Sequence, residues 1–192
     1  TSAIALASAP VPVDYYLSFE NAAHREASIT ATFAGLDEAP LVVRMSRSSP
    51  GRYALHEFAK NVDDVRATDS QGRALTVRRE DPYRWIVEGH DGVVKFHYTL
   101  YADRADGTYS QVDTSHAHLN MPATLAWSEA LVDRPVTVRM TPYSADWKVA
   151  TQLQPTEHPY VFKAPNHAYL MDSPIELSDF DLREWQVSHK GE

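Results

Sequence analysis

The chain has 192 residues, 43% of them hydrophobic and 23% charged, which suits one domain with a real core. Its 18 basic and 26 acidic residues leave a net charge of −8, which argues against nucleic acid as a partner and offers no polybasic run for a membrane surface. There is no cysteine, so disulfides, thiol catalysis, Cys-ligated zinc and iron–sulfur chemistry are excluded within the chain.

Residues 1–12 read as a flexible N-terminal segment. Two readings of it stand open. Ala5-x-Ala7 in a small apolar run fits the tail of a secretory leader, which tilts the expected location toward periplasmic or secreted. Alternatively, the run is simply an unstructured start. It stops at Pro10 and is too short for a membrane span, which needs ~20 apolar residues.

From Val13 onward the hydrophobic period is mostly two. Tyr15, Leu17 and Phe19 alternate with Tyr16, Ser18 and Glu20, and Ile29, Ala31 and Phe33 alternate with Thr30 and Thr32. With a turn at Asn21–His24 between them, these predict a hairpin. A third strand is predicted over Leu41–Met45, followed by a loop at Ser46–Gly51 with Pro-Gly turn chemistry. Tyr53, Leu55 and Phe58 are expected to pack the rest of that loop down.

Two more hairpins are expected. One joins Val62–Thr68 to Ala74–Arg79; the other joins Trp85–Val87 to Val93–Leu100 through an Asp-Gly turn. A polar loop follows at Asp103–Ser110. Strands are predicted at Val112–Leu119, Pro135–Met140, Trp147–Leu153, Tyr160–Lys163 and Leu182–Val187. Helix is limited to a turn near Trp127–Leu131 and a short helix within Pro165–Met171. The four evenly spread tryptophans read as core residues. The expected fold is mainly β, an antiparallel β-sandwich-like domain with one or two short helices.

Three places carry possible chemistry. His56-Glu57 opens like an H-E-x-x-H zinc helix, but Lys60 stands where the second His belongs, and a protonated amine has no lone pair for zinc. A packing role is the stronger reading there. His116 and His118 share one face of a strand at i and i+2, a weak metal-ligand pair with Asp113 and Asn120 nearby. The competing reading is two hydrogen-bonded histidines in a polar seam. Asp172 and Glu176 flank a Ser-Pro turn and are candidate substrate-binding carboxylates for a cationic amino terminus. Capping of a helical turn by Asp172 or Ser173 is the alternative. No catalytic residue is assigned, and no nucleophile elbow or phosphate-binding glycine loop is present.

An ordered set of phrases resembles the N-terminal domain of the M61 peptidase family, the glycyl aminopeptidases. It comprises Tyr15-Tyr16-Leu17-Ser18-Phe19, Ser49-Pro50-Gly51-Arg52-Tyr53, His56-Glu57-Phe58-Ala59-Lys60-Asn61-Val62, Tyr98-Thr99-Leu100-Tyr101-Ala102, His116-Ala117-His118-Leu119-Asn120, Trp147-Lys148-Val149-Ala150-Thr151 and Met171-Asp172-Ser173-Pro174. The resemblance implies that residues 13–192 are a non-catalytic β-domain of a zinc aminopeptidase. Such a parent removes N-terminal glycine or alanine from peptides, and its zinc sits in a helical catalytic domain that this sequence lacks. The implied partners are that catalytic domain and the peptide substrate, with a homodimer through the exposed docking face as a further expectation. The implied role is to pack on the catalytic domain and wall its substrate cleft. A free-standing β-sandwich module that binds peptides or glycans is the rival expectation.

Overall fold

The computed structural model describes residues 10–186. The Ala5-x-Ala7 pattern lies outside the described residues. So does Val187, the end of the strand predicted at Leu182–Val187; residues 182–186 have no regular structure, which corrects that expectation.

Three sheets build the domain. Its strands are β1 (Val13–Ser18), β2 (Glu26–Ala34), β3 (Leu41–Arg44), β4 (Val62–Thr68), β5 (Thr76–Asp81), β6 (Arg84–Glu88), β7 (Val93–Tyr101), β8 (Gln111–Val112), β9 (His116–Leu119), β10 (Val136–Thr141), β11 (Lys148–Thr151), β12 (Gln154–Pro155), β13 (Val161–Ala164) and β14 (Ile175–Ser178). Two short helices are present, α1 (Met121–Thr124) and α2 (His167–Met171). The seven-stranded sheet has the order β12-β13-β10-β1-β2-β7-β4, the four-stranded sheet β11-β14-β9-β8 and the three-stranded sheet β3-β6-β5. The fold is mainly β and antiparallel, as the period of two implies, with one parallel pairing between β1 and β10.

The large sheet is a one-sided amphipath. Tyr15 and Leu17 on β1, Ile29 and Phe33 on β2, Phe96 and Tyr98 on β7, and Val138 on β10 all turn the same way and are buried. Their neighbours in sequence, such as Tyr16 and Tyr101, stay exposed. Trp85 of β6 lies 5.6 Å from Phe96, ring centre to ring centre, so the three-stranded sheet packs against the buried face of the seven-stranded one. Burial of this apolar surface contributes roughly 25 cal/mol per Å², the dominant favourable term.

Two predicted hairpins are not formed. β4 pairs with β7 in the large sheet and β5 with β6 in the small one; Thr68 and Ala74 share only a single bridge. Likewise β6 and β7 belong to different sheets, and the Asp91-Gly92 turn is a corner between layers. Turn chemistry reports that the chain reverses, not that the flanking strands pair. The Tyr15–Phe33 hairpin is present as β1 and β2, in continuous register from Asp14↔Thr32 to Ser18↔Ser28.

The aromatic expectations split. Trp85 and Trp147 are buried, but Trp185 is 80% exposed. Phe58 is buried, whereas Tyr53 is fully exposed and Leu55 is 73% exposed, so neither packs its loop down.

Candidate functional site

The outer face of the four-stranded sheet gathers the sequence's strongest polar candidates. Ala117 and Leu119 of β9 and Ile175 and Leu177 of β14 point inward and are buried. The alternate positions therefore put His116, His118 and Glu176 on the other face, half-buried. The antiparallel register sets Glu176 directly opposite His118, and Gln111 of β8 opposite His118 on the far side.

His118 and Glu176 form a pair, with Nδ1 3.0 Å from the Glu176 Oε2. The Glu176 hydrogen bond raises the His118 pKa above its usual value, against a smaller opposing effect of burial. The Asp106 backbone and charge add to the rise. Thr151, Gln152 and Pro174 line a shallow hollow of about 320 Å³ beside this pair.

His116 is held differently. It terminates an Asp113–Ser115 turn in which the Asp113 Oδ1 accepts from the backbone N–H groups of Ser115 and His116 and from the Ser115 hydroxyl. Burial works to raise the Asp113 pKa, but these donors outweigh it and hold the carboxyl well below the carboxylate range. Arg25 donates to the other carboxylate oxygen at 2.9 Å. That arginine lies 88 positions away in the chain and carried no local signal.

Asp172 and Glu176 sit on different elements. Asp172 is the exposed C-terminal cap of α2, its backbone N–H donating to Ala168 and its carbonyl accepting from Gln152 Nε2 at 2.6 Å. Capping of the helix start falls to Asn166, whose side chain accepts from the Tyr169 N–H. Ser173 is buried and its hydroxyl donates to the Tyr169 carbonyl, closing the helix. Of the two carboxylates, Glu176 is committed to His118 and Asp172 faces solvent. β14 was not among the predicted strands, although Ile175 and Leu177 carry a period of two past Pro174 that could have found it.

His56-Glu57 lies in a loop, ahead of the single turn Phe58–Asn61. The His56 ring stacks on Phe58 at 5.2 Å and meets the edge of Tyr109 at 5.6 Å, while Glu57 bridges to Arg47 at 2.5 Å. Among the described residues no three His, Cys, Asp or Glu side chains group as a metal site. The His118 Nδ1 is hydrogen-bonded to Glu176, while the His116 Nδ1 lies 3.0 Å from the Ser115 hydroxyl and 3.3 Å from Asp113.

Residues 14–179 match the model of the peptidase M61 N-terminal domain. The chain belongs to this family. An aminopeptidase N family protein from Idiomarina loihiensis shares the fold of this M61 N-terminal domain, with a TM-score of 0.85 at 21% identity, over 93% of this chain and 31% of that one. A variant of the M1 zinc metallopeptidase from Deinococcus radiodurans, solved with a Tyr-Ser-Ala substrate, superposes with a TM-score of 0.50 at 14% identity. That match covers 86% of this chain and 41% of the other. The M61 N-terminal domain thus spans well under half the length of both neighbours, and at these identities the likeness shows fold alone. No curated protein sequence matches it.

Proposed function

We propose that this chain is the non-catalytic N-terminal β-domain of a zinc aminopeptidase that removes glycine or alanine from peptide amino termini. The family match over residues 14–179 carries this reading. In this role the domain packs on the catalytic domain and walls the substrate cleft. Asp172 is its candidate for attracting the substrate ammonium, being an exposed carboxylate; Glu176 is the weaker candidate, since it is already hydrogen-bonded to His118. A periplasmic or secreted parent is part of the same proposal, resting on the Ala5-x-Ala7 pattern.

The test is the complete open reading frame, expressed and purified. The expected result is stoichiometric zinc and release of N-terminal Gly and Ala from short peptides. Absence of both zinc and peptidase activity overturns the reading in favour of a free-standing module. Asp172→Ala and Glu176→Ala in that protein test the cleft assignment. A raised KM for Asp172→Ala supports it, and unchanged kinetics for both variants removes it.

A further inference from the structure

The tip of the loop between β3 and β4 carries two large apolar residues on the outside. Tyr53 is fully exposed and Leu55 is 73% exposed, the most exposed large apolar pair outside the C-terminal stretch. The base of this loop is nonetheless firmly built. The Arg52 N–H donates to the Ser49 carbonyl and the His56 N–H to the Arg47 carbonyl. Ser49 is buried and accepts from Asn120 Nδ2 at 3.2 Å, which ties the loop to the start of α1. A fixed base and an apolar tip held out in water describe a surface awaiting a cover.

The base of the loop is flanked by cations, although the chain as a whole carries −8. A cavity of about 470 Å³ opens at the base of the loop, lined by Arg47, Glu57, Lys60, Arg79, Pro82 and Tyr83. Its one carboxylate, Glu57, is taken up by Arg47. Arg79 donates to the Pro82 carbonyl and lies over the Trp85 ring, and Lys60 sits 5.7 Å above the Tyr109 ring. Neither cation has a carboxylate partner among the described residues. Arg52 adds a further exposed cation between the turn and Tyr53.

We propose that this loop is the docking element for the remainder of the parent polypeptide, with Tyr53 and Leu55 inserting into an apolar depression and Arg79 and Lys60 meeting acidic side chains around it. The proposal rests on the reading of the chain as one domain of a larger peptidase, and deepens it by naming the surface. Two observations select this occupant. The matched family model is an N-terminal domain, so on the reading proposed above a catalytic domain has to cover some face of it. A second copy of this chain is disfavoured by charge: a two-fold contact centred on the tip sets Arg52 and its cationic neighbours against their own copies.

Hydroxyl-radical footprinting of the full-length parent, read by mass spectrometry, tests this within one molecule. Tyr16 and Tyr143, each 43% exposed here, serve as internal references. Docking predicts that Tyr53 labels at least about tenfold less than both references, although in the bare domain it is more than twice as exposed as either. Labelling of Tyr53 at or above the reference level overturns the proposal. Protection that disappears on dilution, in step with loss of a dimer by light scattering, assigns the tip to a second copy and also overturns it. A Tyr53→Ser, Leu55→Ser parent should lose thermal stability and activity while the fold of residues 10–186 persists. Parent protein with peptidase activity but an unprotected tip defeats the docking surface alone; parent protein without zinc or activity defeats the functional reading instead.

Discussion

His118 and Glu176 face each other across the β9–β14 pairing, Nδ1 to Oε2 at 3.0 Å, on the open side of a sheet whose other side is buried. The pair converts a candidate metal ligand and a candidate substrate carboxylate into a single ion pair. Its contribution depends on pH in a definite direction. The folded His118 pKa is raised above the unfolded value, so the stabilisation is complete below ~6.5 and is lost as pH rises through the folded pKa. Both partners are about one-third exposed, so the coupling is small, about 0.5 kcal/mol. A double-mutant cycle of His118→Gln and Glu176→Gln, read by urea unfolding, should return that coupling at pH 5.5 and almost none at pH 9. Equal coupling at both pH values would show that the charged histidine plays no part.

Tyr98 makes a sharper stability prediction. Its hydroxyl donates to the Thr124 carbonyl at 2.8 Å and accepts from the Ala126 N–H at 3.0 Å. Tyr15 donates to the Ala126 carbonyl at 2.9 Å. Together they clamp the segment after α1 onto the buried face of the large sheet, and burial pushes both phenols far above their ordinary range. Tyr98→Phe strands two buried backbone groups and should cost about 2–3 kcal/mol; Tyr15→Phe strands one carbonyl and should cost about 1 kcal/mol. Chemical denaturation of the two variants checks the ratio, and equal costs would contradict the two-bond role of Tyr98.

The bulge in β4 gives a backbone prediction. Register against β7 shifts between Asp63 and Arg66, and Asp64 sits at φ +52° within the shift. Left-handed backbone costs an ordinary L-residue ~1 kcal/mol, a cost that Asp bears better than most. Asp64→Gly should therefore be neutral or stabilise by a few tenths of a kcal/mol, while Asp64→Val should destabilise by about 1 kcal/mol or more. Thermal unfolding of both variants decides it; a stable Val variant would mean that the bulge relaxes.

How far the fold was legible follows from what each signal measures. Alternation placed β1, β2, β3, β7 and β10, because burying one face of a sheet forces a period of two onto the residues. Strand partners were not legible where the chain changes layers. Nothing near Gly89–Gly92 marks that β6 turns away to meet β3 while β7 goes to β2. Exposure of Tyr53, Leu55 and Trp185 was invisible because an apolar residue carries the same sequence signal whether the fold buries it or leaves it outside. At the candidate site, the shared face of His116 and His118 follows from the i, i+2 spacing. Their carboxylate partners differ in legibility: Asp113 lies three residues away, whereas Glu176 arrives from 58 residues downstream through a strand pairing.

His167 supplies an acid-sensitive element in the range between pH 6.5 and 4. Its ring lies 4.3 Å from Trp127, centre to centre, and its Nε2 is buried without a hydrogen-bond partner. Burial pushes its pKa down to about 4. The folded state therefore keeps His167 neutral over a range in which the unfolded chain is protonated, and stability falls as pH drops from ~6.5 toward 4. The full shift would correspond to roughly 3 kcal/mol, but the ring is partly exposed, and solvent screening reduces the expected loss to about 1 kcal/mol. Half-buried His97, also lowered by burial, adds a smaller loss of the same sign, while His118 opposes it. His167→Phe retains the stack on Trp127 and removes the titration. Its stability should decline less than that of the parent sequence between pH 6.5 and 4, by about 1 kcal/mol in urea unfolding. Parallel pH profiles for the two proteins would place the acid lability elsewhere.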